Sequence, residues 1–195
     1  GQWSGIRDVH LSEKGFHEAG MLGRAFKELS IPIDRAYCSE QIRTRETLEG
    51  ILEASQQYDT EVVRDSALNE RDYGDYTGKN KWDMKELIGE EAWNAIRRGW
   101  DVPVPNGETL KMVYERVQPF YMNTLLPLLK DGKNILIVAH GNSIRALIKY
   151  IEDIDNEAIG DIEMLFGDLL VYDVDENGHM RAKNTAHIDS PAPNA

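Results

Sequence analysis

The residue best placed for chemistry is His140, because of the two elements that flank it. His140 follows the apolar run 135–139 and precedes the apolar pattern 144–151, which predict a buried strand and then a helix. It therefore lies at the carboxyl end of a strand, where open α/β sheets bind their ligands. A histidine at this position could donate a hydrogen bond to a phosphoryl oxygen during group transfer. The alternative is a buried structural histidine bonded to a backbone carbonyl.

The two residues after His140 favour an anion. Gly141 lets the backbone come close to a ligand. The free N–H groups of the helix that is predicted to begin near Asn142 attract negative charge. This strand end is therefore a candidate phosphate site.

A second candidate is the segment 68–74, which combines an acid, a base and a phenol without helical or strand periodicity. Glu70 in this segment is a candidate general acid and base. A solvated turn accounts for the same composition equally well.

Paired guanidinium groups at Arg97 and Arg98 could clamp a carboxylate or a phosphate. Taken alone, such a pair is also typical of a helix end that interacts with its dipole and with water. Arg43 and Lys81 are weaker candidates of the same kind. The turn-like segments 106–108 and 167–168 favour turns over sites. The remaining histidines have no metal-ligand spacing and are interpreted as surface or packing residues: His10, His17, His179 and His187.

Composition limits the function classes. The formal net charge of -12 repels nucleic acid and anionic membranes, so any anion site must be a local group of Arg and Lys. The longest apolar run, 135–139, is too short to cross a bilayer, and we expect a soluble, cytoplasmic protein. The single cysteine, Cys38, cannot form an internal disulfide, which fits a reducing compartment.

Alternating strand and helix patterns predict an α/β fold, a three-layer αβα sandwich around a mostly parallel sheet with an antiparallel edge. The predicted domain covers residues 1–188, and residues 189–195 are expected to form a mobile tail. The predicted strands are 36–39, 61–63, 134–139 and 169–174, with 180–183 pairing back as a hairpin. The predicted helices are 12–29, 41–56, 80–98 with a break at Gly89, 109–129 and 144–151.

These segments together resemble the cofactor-dependent phosphoglycerate mutases of the histidine phosphatase superfamily. The resemblance rests on an ordered set of short motifs across residues 3 to about 175. They are Trp3-Ser4-Gly5, Leu11 to Gly15, Ser39 to Arg43 with Thr47, Leu68 to Gly74, Arg97-Arg98-Gly99, Pro105 to Thr109 and Ala139 to Ser143.

The resemblance implies a phosphohistidine enzyme that exchanges 3-phosphoglycerate and 2-phosphoglycerate. It implies 2,3-bisphosphoglycerate as the primer, no metal, phosphoglycerates as the small-molecule partners, and it allows a homo-oligomer. His140 would stabilise the transferring group, Arg43 would bind phosphate, and Glu70 would exchange a proton with the substrate hydroxyl. The substrate pocket would be lined by Ser4, Gly5, Arg71, Asp72, Tyr73, Lys81, Arg97, Arg98, Gly141 and Asn142.

One departure from the family pattern concerns the nucleophile. Similar enzymes carry it in an Arg-His-Gly motif at the end of a first strand, upstream of the Trp3-Ser4-Gly5 segment, and this sequence has no such motif. His10 cannot replace it, because it lies in a polar loop with no strand before it and no Gly after it. We expect that an ordinary strand is missing from the sequence. The alternative is a truncated, inactive chain, in which the neighbouring strands would expose unpaired edges.

Two rival functions remain beside the mutase. A phosphomonoesterase of the same superfamily would use water to discharge the phosphohistidine, and fold alone does not separate the two. Arg97, Arg98 and Lys81 favour the mutase, because a simple phosphatase has less need to hold a carboxylate and a second phosphate. A catalytically silent protein that binds a phosphorylated metabolite is the rival from another class.

Overall fold

The computed structural model describes residues 2–164 and 167–187. The predicted tail, 189–195, lies outside the described residues. Strands and helices alternate over most of this range, as predicted. The helices are α1 (Glu13–Glu28), α2 (Ile42–Ser55), α3 (Lys81–Ile88), α4 (Glu90–Arg98), α5 (Leu110–Phe120), α6 (Leu126–Lys130) and α7 (Gly141–Ile151). The strands are β1 (Arg35–Cys38), β2 (Glu61–Arg64), β3 (Ile135–Val138), β4 (Asp168–Val174) and β5 (Met180–His187).

A three-stranded parallel sheet organises the chain, in the order β2-β1-β3. Cys38, the last residue of β1, is paired with Val138, the last residue of β3. Because the strands are parallel and in register, the residues that follow them emerge at one edge of the sheet. This confirms the predicted α/β class and the predicted position of His140 just beyond a strand end.

The antiparallel strands differ from the prediction. β4 and β5 pair with each other as a separate two-stranded sheet instead of forming the edge of the parallel sheet. Between β3 and β4 lies a groove of about 450 Å³ whose lining includes Ile137, Leu147, Leu169 and Val171. Among the described residues, no strand fills this groove, so β3 and β4 each have one unpaired edge.

The predicted helix 109–129 is interrupted. α5 ends at Phe120, residues Tyr121–Leu125 form a π-helical turn, and α6 follows. Pro127, near the start of α6, has no N–H with which to continue the α-helical hydrogen-bond pattern. A widened turn just before such a residue is a common adjustment.

The first residues of α7 and α1 are set by serine side chains. α7 begins at Gly141, close to the start predicted near Asn142 and three residues before its apolar pattern, because the Ser143 hydroxyl accepts a hydrogen bond from the His140 N–H at 3.1 Å. In α1 the Ser12 hydroxyl accepts a hydrogen bond from the Gly15 N–H at 3.2 Å, as predicted. α7 therefore starts immediately after His140, with its free N–H groups beside the imidazole.

The principal apolar core joins α5 to α7. Val113 and Val117 of α5 are fully buried with Ala146 and Leu147 of α7. This packing fixes the two helices relative to each other. Within the described residues, no helix has the length and apolar character needed to cross a membrane.

Close packing of α1 on α2 generates a stability prediction, since α2 carries Arg43. A Cβ added at Gly23 of α1 would lie 2.6 Å from the Ile51 carbonyl oxygen of α2. Gly23→Ala should therefore destabilise the protein by about 1 to 3 kcal/mol, despite the higher helix propensity of alanine. Urea unfolding gives the free energy of unfolding directly.

Gly20→Ala is the matched control in the same helix. The nearest atom to its added Cβ is the end of the Arg24 side chain at 3.5 Å, so alanine should stabilise by about 0.5 to 1 kcal/mol. Equal effects of the two substitutions would contradict the close contact at Gly23.

Candidate active site

His140 is held at the sheet edge by the residue that follows the neighbouring strand. Its Nε2 shares a hydrogen bond with Ser39 Oγ at 2.8 Å. The Thr44 hydroxyl donates to the Gln41 carbonyl, so the Ser39 hydroxyl must donate to Thr44 Oγ1, 2.6 Å away. His140 Nε2 is therefore the donor to Ser39, and the neutral imidazole carries its proton on Nε2.

The imidazole is kept neutral by its surroundings. His140 is 7% exposed, and burial lowers its pKa from 6.5 to about 3, helped by the charges of Arg43 and Arg116. A neutral imidazole is a hydrogen-bond donor that adds no positive charge of its own. A bound phosphoryl group would have to replace Ser39 as the acceptor of the His140 Nε2–H hydrogen bond.

Glu70 is joined to the start of α7 by Asn142. The Asn142 amide donates to Glu70 Oε1 at 2.9 Å and to the Tyr73 hydroxyl at 3.1 Å. The Glu70 N–H donates to Gln41 Oε1 at 2.8 Å, which ties the same loop to the start of α2. The pKa of Tyr73 is raised, first by burial and then by the Glu70 charge, so the phenol stays protonated at neutral pH.

Arg43 faces the segment that contains Ser4 and Gly5. Its guanidinium donates to the carbonyl oxygens of Arg7 at 2.8 Å and Gly5 at 3.0 Å. Gly5 has a φ of 49°, a conformation that favours glycine. Burial lowers the pKa of Arg43, while the charges of Glu70 and Asp8 act in the opposite direction.

Lys81 and Arg97 form a second group of cations. The Arg97 guanidinium lies 4.2 Å from the centre of the Trp93 ring. The pKa of Lys81 is lowered, first by burial and then by the Arg97 charge, with Glu70 opposing. Within the described part of the chain, neither side chain has a hydrogen-bonded carboxylate. Two partly buried cations without a paired anion are the local positive charge that an anionic ligand needs.

Arg98 is directed elsewhere. Its guanidinium donates to the Gly160 carbonyl at 3.2 Å and forms an ion pair with Glu163 at 2.7 Å. The two arginines that the sequence treats alike therefore differ in the structure. Arg97 shares its surroundings with Lys81, and Arg98 ties α4 to the segment at 160–163.

Arg71 and Asp72 support the loop that carries Glu70. Arg71 is fully buried, and its guanidinium donates to the carbonyl oxygens of Glu108 at 2.6 Å and Ile96 at 2.8 Å. The Asp72 carboxylate accepts a hydrogen bond from the Gly74 N–H at 2.8 Å. The Arg71 side chain is not brought to the open side of the site, and that of Asp72 is half-buried, whereas Gly141 is exposed with open space where a Cβ would lie.

Sequence reasoning missed two polar residues of this region. Gln41 joins Gly5 to Glu70 through both ends of its amide, and the sequence gives no signal for this. Arg145 donates to the carbonyl oxygens of Arg97, Arg98 and Ile159, which hold α4 against α7. A charged residue inside the apolar pattern 144–151 is the signal that could have revealed Arg145.

The other histidines lie away from His140. All are exposed: His10 pairs with Glu46, His179 with Asp175 and His187 with Asp168, and His17 lies on the surface of α1. Among the described residues, no second imidazole joins His140 in the site.

Two solved structures of similar fold are named as a phosphoglycerate mutase and a phosphatase. A phosphoglycerate mutase from Bacillus anthracis matches with a TM-score of 0.74 and 22% identity, over 96% of this chain and 85% of that one. The alpha-ribazole phosphatase from Shigella flexneri matches with a TM-score of 0.74 and 23% identity, over 98% of this chain and 92% of that one. At these identities the likeness shows the fold class alone.

The sequence comparisons narrow this class. The family model described as "Histidine phosphatase superfamily (branch 1)" matches residues 1–185. A 2,3-bisphosphoglycerate-dependent phosphoglycerate mutase of Parvibaculum lavamentivorans is 41% identical over 90% of this chain and 84% of its own length. One from Rhizobium etli is 38% identical over 93% of this chain and 86% of its own length. The chain belongs to branch 1 of the histidine phosphatase superfamily and, within it, to the family of 2,3-bisphosphoglycerate-dependent phosphoglycerate mutases, which are isomerases.

The protonation state of His140 can be tested by NMR. Nitrogen-15 spectra should show His140 as a neutral imidazole with the proton on Nε2 from pH 8 down to about 5, since its pKa is lowered to about 3. An imidazole signal that titrates near pH 6.5 would contradict the buried geometry.

The lowered pKa of His140 also predicts that the stability of the protein depends on pH. In the unfolded chain His140 takes up a proton below about pH 6.5, whereas in the folded protein it stays neutral down to about pH 3. The contribution of the neutral His140 to the free energy of unfolding is therefore complete above pH 6.5 and is lost as the pH falls towards 3. The stability difference between the wild type and His140→Asn should therefore shrink on acidification, by at most about 1.4 kcal/mol per pH unit. His17→Asn, at an exposed position, is the control and should show no such trend.

Proposed function

We propose that this site interconverts 3-phosphoglycerate and 2-phosphoglycerate through a phosphohistidine that is primed by 2,3-bisphosphoglycerate. The observation that carries the proposal is the pair of cations at Lys81 and Arg97, which stands without a carboxylate partner in the described structure. A substrate with a carboxylate and a second phosphate needs such anchors away from the reacting group. Relatives named as mutases, 38 to 41% identical, support the same function.

The charges present fit 2,3-bisphosphoglycerate. Burial and mutual repulsion lower the pKa of Lys81 beside Arg97, and a bound anion would remove that repulsion. The start of α7 and Arg43 would hold one phosphate, and the cations at Lys81 and Arg97 would hold the other end of the molecule. The bound primer supplies the phosphoryl group for the carrier histidine.

Residues of the chain itself would stabilise the transferring group and move the proton of the substrate hydroxyl. His140 would donate Nε2–H to a phosphoryl oxygen, which stabilises the charge that builds up during transfer. Glu70 would take the proton of the substrate hydroxyl and return it, which requires a carboxylate within hydrogen-bond reach. Asn142 holds that carboxylate in place from α7, and its amide also donates to the Tyr73 hydroxyl.

The groove between β3 and β4 suggests where the histidine that carries the phosphoryl group would lie. An extended segment in this groove would pair with both open strand edges and cover their apolar lining. If it runs parallel to β3, its last residues emerge beside His140, which directly follows that strand region. We infer that the carrier is a histidine at the carboxyl end of such a strand.

The proposed partners are small phosphorylated carboxylates, and the proposed location is the cytoplasm, where these metabolites are exchanged. The net charge of -12 opposes binding to nucleic acid.

The proposal is tested with two matched proteins. In one, the chain is preceded by an apolar strand that ends in Arg-His-Gly, and in the other the same strand ends in Arg-Gln-Gly. We expect the first protein to convert 3-phosphoglycerate only when 2,3-bisphosphoglycerate is supplied, and the second to be inactive. Hydrolysis of phosphate esters without any mutase activity would instead support the phosphatase, and no turnover in either protein would support a silent binding protein.

Arg97 and Arg98 give a sharper prediction, because the structure separates their roles. Arg97→Ala should weaken 2,3-bisphosphoglycerate binding by about 1.5 to 3 kcal/mol, the value of a lost charged hydrogen bond. Arg98→Ala should change binding much less, because its guanidinium is bonded to Glu163. Isothermal titration calorimetry of both variants measures this, and equal losses would contradict the assignment of Arg97 as the anchor.

A further inference from the structure

An ion pair behind the Glu70 loop contributes to the site as described so far only through the charge of Arg116, which helps to lower the pKa of His140. Arg116 of α5 binds the Glu108 carboxylate with two nitrogens, Nε to Oε1 at 3.0 Å and Nη2 to Oε2 at 3.1 Å. Both side chains are 23% exposed, so the pair is largely shielded from water. A bidentate pair of this kind fixes the orientation of both partners.

Arg116 also binds the backbone on the N-terminal side of Glu70. Its guanidinium donates to the carbonyl oxygens of Ala67 at 2.6 Å and Asn69 at 2.9 Å. A third contact reaches the carbonyl of Glu70 itself at 3.3 Å. Asn69 and Glu70 lie outside the helices and strands, so their carbonyls have no partner from regular secondary structure.

Glu108 binds the same loop on the C-terminal side. Its Oε2 accepts a hydrogen bond from the Asp72 N–H at 2.9 Å, and its own carbonyl accepts one from Arg71 at 2.6 Å. Arg116 and Glu108 therefore hold the chain at residues 67–70 and at 71–72. Glu70 lies between the two points of attachment.

The pair is anchored to the rigid part of the molecule. Arg116 lies between Val113 and Val117, both fully buried in the core shared by α5 and α7. Asn142, which binds the Glu70 carboxylate, belongs to α7. The same packed pair of helices thus holds the Glu70 backbone from α5 and the Glu70 carboxylate from α7.

We propose that Arg116 and Glu108 are positioning residues that set the place of the Glu70 carboxylate relative to Asn142 and His140. The inference rests on the proposed function of Glu70 in proton transfer. Without the guanidinium, three carbonyl groups lose a donor, and the loop at 67–72 is free to relax towards water. The carboxylate then spends less time within reach of the substrate hydroxyl.

The first test needs no activity and uses the 195-residue chain itself. The side-chain amide protons of Asn142 report on their hydrogen bond to Glu70. In Arg116→Ala the NMR signal of this amide should shift, and the Asp72 N–H should exchange faster with solvent. Arg35→Ala, which removes an ion pair with Glu61 on the sheet, is the matched control and should leave both signals unchanged.

The second test separates positioning from a loss of folding, using the strand-extended protein described above. Transfer to the phosphoglycerate hydroxyl needs Glu70, but an aryl phosphate with a good leaving group needs no proton donor. Arg116→Ala should lower mutase kcat by about 10-fold or more with little change in KM, and leave aryl phosphate hydrolysis within about 2-fold. In a Glu70→Gln background, Arg116→Ala should have no further effect on kcat.

The outcomes are distinct. If both reactions fall by the same factor, or if the Asn142 signal does not move, the positioning role is wrong. If the parent protein lacks mutase activity, the proposed function fails, and the NMR measurement alone decides the inference. Should Arg116→Ala not fold, Glu108→Gln removes the ion pair but keeps an acceptor for the Asp72 N–H, and it must show a smaller shift of the same Asn142 signal.

Discussion

The hydrogen bond between Ser39 and His140 is the contact on which the site depends. It joins the residues that follow β1 and β3, whose last residues, Cys38 and Val138, are paired. A shift of that register by one residue would turn His140 to the other face of the sheet and separate α2 from α7. With the register in place, Gln41 and Asn142 reach Glu70 from two different helices. The geometry of the site is therefore a consequence of strand pairing.

Positive charge is used in two ways in this acidic chain. Some guanidinium groups are buried or half-buried and bonded to backbone carbonyls, where they replace water as donors and join irregular segments to helices. They are Arg71, Arg116 and Arg145. Lys81 and Arg97 lack such partners within the described residues, and burial beside each other lowers the pKa of Lys81. Lys81 and Arg97 are therefore suited to a ligand, because their charge is not already compensated.

The sequence predicted the elements that depend on local patterns. The apolar run at 135–139 and the helix after it located His140 correctly, because a buried strand and an apolar helix need only short stretches of chain. The separate β4–β5 sheet was not predicted, since it depends on packing between distant segments. The π-helical turn at Tyr121–Leu125 was not predicted either, although Pro127 follows it closely. The difference between Arg97 and Arg98 also escaped prediction, because it depends on Glu163, far along the chain. Glu108 was interpreted as part of a turn, and its contact with the Asp72 N–H becomes visible only in the folded chain.

A crystal structure of the chain with 2,3-bisphosphoglycerate tests the central claim most directly. The account predicts one phosphate against the first N–H groups of α7, bonded to His140 Nε2 and Arg43, with the Ser39 bond to His140 broken. The rest of the molecule should contact Lys81 and Arg97, and Glu70 should lie within hydrogen-bond distance of the ligand. A ligand bound elsewhere, or bound while His140 keeps Ser39 and Lys81 and Arg97 make no contact, would contradict it.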